Sequence, residues 1–334
     1  MTASMTDTDS LSGNPQNTDN AGNTQDLVQR LKNAQGKRFE NLSLKGLDLA
    51  GAQISDCVFQ DCNLQDCNLS DAQLVRCTLS SCTLADTNLE NASFEEVTFS
   101  HCHLANLNLE GALVGKCRFE EGNLLEGLLL KKAIVERCEG LSQTRIRASN
   151  LASCLFLACD VSGWKIEECK GDLCIFRECQ ADGLTLVQCC LPQLICLDIS
   201  LKKAVFEECE LCHAGFSGSD LSGASIVSCD CQGLFAQNAN LKGALFEKTR
   251  LEKSVFSKAN LALASLEGAY LSMSDFSHAC LDGANLACAN LTQANFHAVS
   301  LQGTVLDGAL LDNIRSTDRE LLAAESFVPG HMPL

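Results

Sequence analysis

Ala259-Asn260-Leu261-Ala262-Leu263-Ala264-Ser265-Leu266-Glu267-Gly268-Ala269-Tyr270-Leu271 sets a five-residue rhythm that the chain keeps as far as Leu311. The large residues of this run are Leu261, Leu266, Leu271, Phe276, Leu281, Leu286, Leu291, Phe296, Leu301, Leu306 and Leu311. Two residues before each stands a small one: Ala259, Ala264, Ala269, Ser274, Ala279, Ala284, Ala289, Ala294, Val299, Thr304 and Ala309. A period of five fits neither the roughly 3.6-residue period of an amphipathic helix nor strand alternation. The stretch is a repeat array, in which each unit hides its apolar face only against its neighbours.

Ala259-Asn260-Leu261, Ala284-Asn285-Leu286, Ala289-Asn290-Leu291 and Ala294-Asn295-Phe296 follow one template, Ala-(Asp/Asn)-Leu-x-x. On these residues the chain resembles the pentapeptide-repeat family. The resemblance implies an all-β solenoid, a right-handed quadrilateral parallel β-helix with short helical caps. Four pentapeptides make one coil, and the large central residue and the small residue two before it point inward.

Upstream, a first series of centres runs from Phe39 through Leu44, Leu49 and Ile54 to Leu124, Leu129 and Ile134. The next clear centre, Leu141, comes seven residues after Ile134. Residues 135–140 are therefore expected to be a joint between a first array, 37–134, and a second, 141–314. Residues twenty apart should stack, which makes Phe156, Phe176, Phe216, Phe256, Phe276 and Phe296 an expected core column, with Leu261 and Leu266 as core leucines. Phe39, Phe59, Phe99 and Phe119 form such a column earlier. Phe119 to Phe156 is 37 residues, three short of two coils, so the joint reads as a deletion of three rather than an insertion of two.

The 334 residues carry a net charge of −17, with 46% hydrophobic and 5% aromatic residues. Residues 1–23 are Ser, Thr, Asp, Asn, Gln and Gly with almost no large apolar side chain, and the expectation is a disordered tail. They lack the basic start and apolar core of a signal peptide, and no apolar run of membrane-spanning length occurs, so a soluble cytoplasmic protein is expected. Residues 24–36 are expected to be a capping helix, with Thr24 as N-cap and Leu27, Val28 and Leu31 on its apolar stripe. At the other end, 315–334 are expected to be a capping helix and tail, opened by a capping box at Thr317-Asp318-Arg319-Glu320. Leu321, Leu322 and Phe327 are candidate capping or dimer contacts, since the C-terminal ends of some family members dimerise.

The 22 cysteines suggest a disulfide framework or a metal site until their positions are read. Cys57, Cys62, Cys67, Cys77, Cys82, Cys102, Cys117 and later Cys154, Cys159, Cys169, Cys174, Cys179, Cys189, Cys209 and Cys229 occupy the inward small-residue site. They act there as small buried apolar fillers. Columns such as Cys62-Cys82-Cys102 and Cys169-Cys189-Cys209-Cys229 lay sulfurs in a line, whereas zinc needs four ligands converging. A row of free thiols points to a reducing compartment. His101-Cys102-His103 cannot share an ion, because Cys102 faces inward and both histidines outward. Trp164 stands where Ala or Cys belongs and is expected to mark a local bulge.

No phosphate loop, His-Glu-x-x-His or Gly-x-Ser-x-Gly occurs, so no catalytic, cofactor-binding or metal residue is assigned and no cofactor is expected. A regular array offers no concave pocket for catalysis. The acidic charge and the lack of a Lys/Arg stripe argue against direct nucleic-acid binding. Two non-enzymatic readings remain. Gln35-Gly36-Lys37-Arg38-Phe39 leading into Leu47-Asp48-Leu49-Ala50-Gly51-Ala52, with the Cys-rich coils, resembles the pentapeptide proteins that accompany bacterial type VI secretion. That resemblance implies an interaction scaffold or adaptor whose partner is a secretion or effector component. The alternative, similar to the quinolone-resistance members, is an acidic DNA mimic that binds a type II topoisomerase, DNA gyrase or topoisomerase IV. The scaffold is preferred because negative charge also serves solubility. Either could be a monomer or an end-to-end homodimer.

Overall fold

The computed structural model describes residues 10–12, 21–120, 124–142 and 144–325. The chain divides into two compact units, Met1–Leu191 and Pro192–Leu334. Each is a parallel β-solenoid of stacked coils.

In the first unit, strand β1 (Ser10–Ser12) is followed by helix α1 (Ala21–Lys32) and strand β2 (Arg38–Glu40). β2 begins one side of the coils: Phe39 pairs in parallel with Phe59, Phe59 with Leu79, and Leu79 with Phe99. A second side stacks Ile54, Leu74, Phe94 and Val114 in the same twenty-residue register. The second unit pairs Val205–Glu207 with Ser225–Val227 and continues as single-residue parallel bridges, such as Asn240 with Asn260 and Leu245 with Ser265. Every coil corner needs a residue in the left-handed region. Asp56, Asp61, Asp66 and Asp71 supply it early, at φ between 52 and 58°, and Lys253, Lys258 and Leu263 later, at 59 to 62°. Asp tolerates this conformation through its short polar side chain, whereas Leu and Lys carry a steric cost that the stacked coils must offset.

The sides of the coils come in two kinds. In the turn kind, the amide two residues before the next centre donates to the previous centre's carbonyl, as Ala52 does to Leu49 at 3.0 Å and Ala244 to Leu241 at 3.0 Å. In the extended kind the side is a three-residue strand, and the small site after it holds a larger group: Cys57 after Gln53–Ser55, Cys77 after Gln73–Val75, Cys229 after Ser225–Val227. The thiols in these corners donate to the centre carbonyl one coil back. Cys62 Sγ reaches Phe39 O at 3.4 Å, Cys82 reaches Phe59 O at 3.5 Å and Cys102 reaches Leu79 O at 3.3 Å. Hydroxyls take the same place elsewhere: Thr87 to Leu64 O at 2.9 Å, Ser274 to Leu251 O at 2.8 Å. The cysteines are thus buried weak donors as well as fillers, and at carbonyls such as Leu64 O and Leu251 O the hydroxyl is a second donor beside the backbone amide.

The joint differs from expectation. Pairing steps are twenty up to Phe94–Val114, become 21 at Val114–Val135 and Val135–Phe156, and return to twenty at Phe156–Phe176. The inward series runs Phe119, Leu125, Leu130, Val135, Leu141, Ile146, so two steps are six residues long. There are two separate one-residue insertions and no deletion. Leu129 and Ile134, expected as centres, are 47% and 37% exposed, while Leu130 and Val135 are buried. The side chain of Leu124 lies outside the described residues. Phe156 consequently stacks on the Val135-Val114-Phe94 line, not on the line of Phe119. Gly140 is required at the second insertion: with φ at +74°, a Cβ there would sit 1.9 Å from the Phe119 carbonyl oxygen.

Trp164 is neither exposed nor on a bulge. It is 1% exposed, its Nε1 donates to the Leu141 carbonyl, and its ring meets Phe156 edge-on at 5.2 Å. It fills the interior that the inserted residues widen. A cavity of about 70 Å³ remains there, lined by residues including Leu104, Val114, Phe119, Leu130, Val135 and Trp164.

The first unit's end is more ordered than expected. α1 starts at Ala21, three residues before Thr24, and buries Leu31 completely. β1 pairs with β2 in parallel, Leu11 opposite Phe39, inside the segment read as a disordered tail. Backbone pairing needs no large apolar side chain, so composition did not reveal it. The rest of that tail, 1–9 and 13–20, lies outside the described residues.

Candidate interaction surface at the C-terminal coils

The last coil of the second unit leaves apolar centres uncovered. Leu301 is 41% exposed and Leu311 39%, against 0% for Leu261, Leu266 and Leu281 earlier in the array. Helix α2 (Arg319–Glu325) follows and buries none of its residues. Leu321 and Leu322 are 48% and 38% exposed. α2 therefore does not seal these residues as a capping helix would; Phe327, the third candidate contact, lies outside the described residues. The N-cap is Asp318 rather than Thr317. Asp318 Oδ1 accepts from the amides of Glu320 at 2.9 Å and Leu321 at 3.1 Å. Thr317 Oγ1 instead accepts from the Ala298 amide at 3.2 Å.

Polar contacts tie α2 to the repeat. Glu325 Oε2 lies 3.1 Å from His278 Nε2 and 3.2 Å from His297 Nε2. His297 is 6% exposed, and its Nδ1 accepts from the Asp318 amide at 3.2 Å. That bond fixes the tautomer: a ring nitrogen accepting an N–H carries no proton, so Nε2 bears it and donates to Glu325. The Glu325 carboxyl is held below the usual glutamate range, first by this hydrogen bond and then by the charge of His278. Sequence reading missed all three residues. His278 and His297 are nineteen apart, one short of a coil, and Glu325 comes from outside the repeat.

The expected core residues lie inside. Phe156 and Phe176 stack at 4.9 Å, Phe256 and Phe276 at 5.1 Å, and Phe276 and Phe296 meet at 5.4 Å. Phe216, Leu261 and Leu266 are buried. All cysteines of the described residues are free. Cys82 touches the thiols of Cys62 and Cys102, and Cys138 touches Cys117 and Cys159. Cys138, out of frame in the sequence, falls into line once the insertions are counted. Burial pushes the Cys77 and Cys179 thiols up to about 11.

The outward faces are polar ladders. Asn68 Nδ2 donates to Asp48 Oδ1 at 2.9 Å, Asn88 to Asn68 at 3.1 Å and Asn108 to Asn88 at 2.9 Å. Acidic groups pair with cations one coil away, as in Arg76 with Asp56, Lys116 with Glu95 and Arg250 with Asp230. No described helix is long and apolar enough to cross a membrane.

Residues 35–108 match the family described as Pentapeptide repeat region, and 199–226, 237–272 and 274–313 match Pentapeptide repeats. The chain belongs to the pentapeptide-repeat family. Among solved structures of this architecture, it is similar to HetL of the cyanobacterium Nostoc sp. strain PCC 7120, a pentapeptide-repeat protein involved in heterocyst differentiation regulation. The identity is 21% over 86% of this chain and 90% of HetL, with a TM-score of 0.26. Trypsin-treated QnrB1, a plasmid-mediated fluoroquinolone resistance protein, is 16% identical over 84% of this chain and 92% of its own, with a TM-score of 0.25. Neither superposition is close enough to transfer a role. Among curated proteins none matches. Within the pentapeptide-repeat array of this chain, what stands apart is the exposed last coil and the polar clasp that holds α2 beside it.

Proposed function

We propose that this pentapeptide-repeat protein is a non-enzymatic scaffold of the cytoplasm that docks another protein at the exposed end of its second unit. The carrying observation is the group of uncovered apolar residues, the centres Leu301 and Leu311 with Leu321 and Leu322 of α2, beside an array whose earlier centre leucines such as Leu261, Leu266, Leu281 and Leu291 are buried. Apolar residues left in water beside a polar rim favour a protein partner. The cavity at the insertions supports the non-enzymatic reading, since its lining holds no titratable group. The partner class we favour is a secretion or effector component, taken from the likeness of the opening coils to type VI secretion accessories. Interleaved ion pairs such as Arg76–Asp56 break the acidic face that a DNA mimic would present.

The test is an affinity pull-down with the tagged full chain and with a Leu321→Asp, Leu322→Asp variant, at low and moderate salt. A secretion or effector component held through moderate salt by the parent and lost by the variant is the expected result. Topoisomerase subunits that release as salt rises, bound equally by both, would establish the mimic reading instead.

A further inference from the structure

We infer that His278, His297 and Glu325 form a binding site for a divalent late transition ion such as Zn²⁺, which pins α2 to the last coils. One ring nitrogen of each histidine and a carboxylate oxygen of Glu325 lie within 4.8 Å of one another. The two nitrogen-to-oxygen separations, 3.1 and 3.2 Å, are close to the edge of a tetrahedron with zinc–ligand bonds of about 2.0–2.1 Å, which is roughly 3.3 Å. Closing the two nitrogens on one ion takes a small rotation of the half-exposed His278 ring. Two imidazoles and a carboxylate suit zinc, cobalt or nickel and leave a position for water. The half-exposed His278 and Glu325 side chains give the ion a way in.

The site has a built-in coupling. An ion on His297 Nε2 takes the lone pair that now carries a proton, so the proton must move to Nδ1. Nδ1 can then no longer accept from the Asp318 amide. The ion thus replaces one hydrogen bond to the N-cap residue with a direct bridge between Glu325 and the coils. The freed Asp318 amide has water available, since Asp318 is exposed, and the bond to the ion has to outweigh both the lost hydrogen bond and the new Nδ1–H of the buried His297 ring. The result is a helix fastened at Glu325 and loosened at its first turn, which alters how Leu321 and Leu322 are presented.

The test is a Co²⁺ titration of the full-length reduced protein after alkylation of the exposed Cys190 and Cys288. Expected is saturable visible absorption of nitrogen/oxygen type without a thiolate charge-transfer band, abolished by competing Zn²⁺. His278→Ala and Glu325→Gln each weaken Co²⁺ by ~10-fold or more, since losing even a ligand's supporting partner costs that much. His297→Gln does the same and keeps the buried polar volume. Zn²⁺ also speeds trypsin cleavage after Arg319, at the loosened first turn, in the parent but not in Glu325→Gln. Absence of a spectrum, a thiolate-dominated spectrum, or affinity unchanged across the three variants would overturn the site.

Discussion

The coils up to Val227 and those from Cys231 onward solve the same packing problem with different corners. The earlier coils combine turn sides with extended strands, and most of their strands are followed by Cys, as at Cys77 and Cys229. The later coils are turns throughout, and Ala fills most of their small sites. A turn closes its own amide-to-carbonyl bond, and its small site most often holds Ala. An extended side opens the corner, and a thiol both fills it and donates to the carbonyl of the coil beneath. The small site thus leans with the side before it, Cys mostly after strands and Ala mostly after turns, with Cys67, Cys154 and Trp164 as exceptions on turn sides.

The largest effects should come from the inward centres, where the two regions ought to behave alike. Leu266→Asp buries an unpaired carboxylate in the later coils and should cost more than about 4 kcal/mol, read as a lost or lowered urea transition. Trp164→Ala, in the widened earlier coils, should cost about 3–5 kcal/mol on the same measurement. Equal stability of Trp164→Ala and the parent would mean the widened coil needs no filler.

The corners come next, and here the regions should part. Cys82→Ala removes a donor from the Phe59 carbonyl and leaves a hole, for a loss of roughly 1–2 kcal/mol, whereas Cys82→Ser keeps the donor and should lose less. In the later coils Ser274→Ala should cost about 1 kcal/mol. If Cys82→Ala and Cys82→Ser melt together, the thiol is only a filler. Burial also predicts that an aromatic disulfide reagent labels Cys190 and Cys288 at once and the buried thiols only on unfolding.

The smallest effect is the pH response of α2. The Glu325 carboxyl lies below its ordinary 4.5 in the folded protein. A depressed carboxyl contributes stability above the unfolded value, and the contribution disappears as pH falls through the folded one. Amide exchange in α2 should therefore stay slow down to about the ordinary glutamate range and speed up below it. Glu325→Gln should remove that dependence, and an unchanged profile would separate Glu325 from the attachment of α2.

The repeat was legible because one inward leucine or phenylalanine every five residues leaves a mark that no helix or simple strand shares. Phe256, Phe276 and Phe296 could be stacked from arithmetic alone. The two insertions were harder, since Leu124, Leu129 and Ile134 stand next to Leu125, Leu130 and Val135, and either set preserves the period. Only the pairing of Val135 with Val114 and Phe156 decides between them. β1 was hidden because its bonds are made by the backbone. The His278, His297 and Glu325 cluster was hidden because its members obey no common spacing.

The side-chain ladders give the molecule a rule for its own evolution. In each, the amides donate toward the N-terminal rung, and that first rung is an aspartate: Asp48 beneath Asn68, Asp220 beneath Asn240, Asp275 beneath Asn295. A carboxylate accepts without having to donate, so it is a natural end stop. Duplicating a coil that carries Asn adds one more rung and keeps every amide paired. Duplicating the coil that carries Asp sets two carboxylates opposite each other, which like charge opposes. Gene duplication can thus lengthen this array from the asparagine coils at little cost, while the aspartate coils mark where each ladder begins.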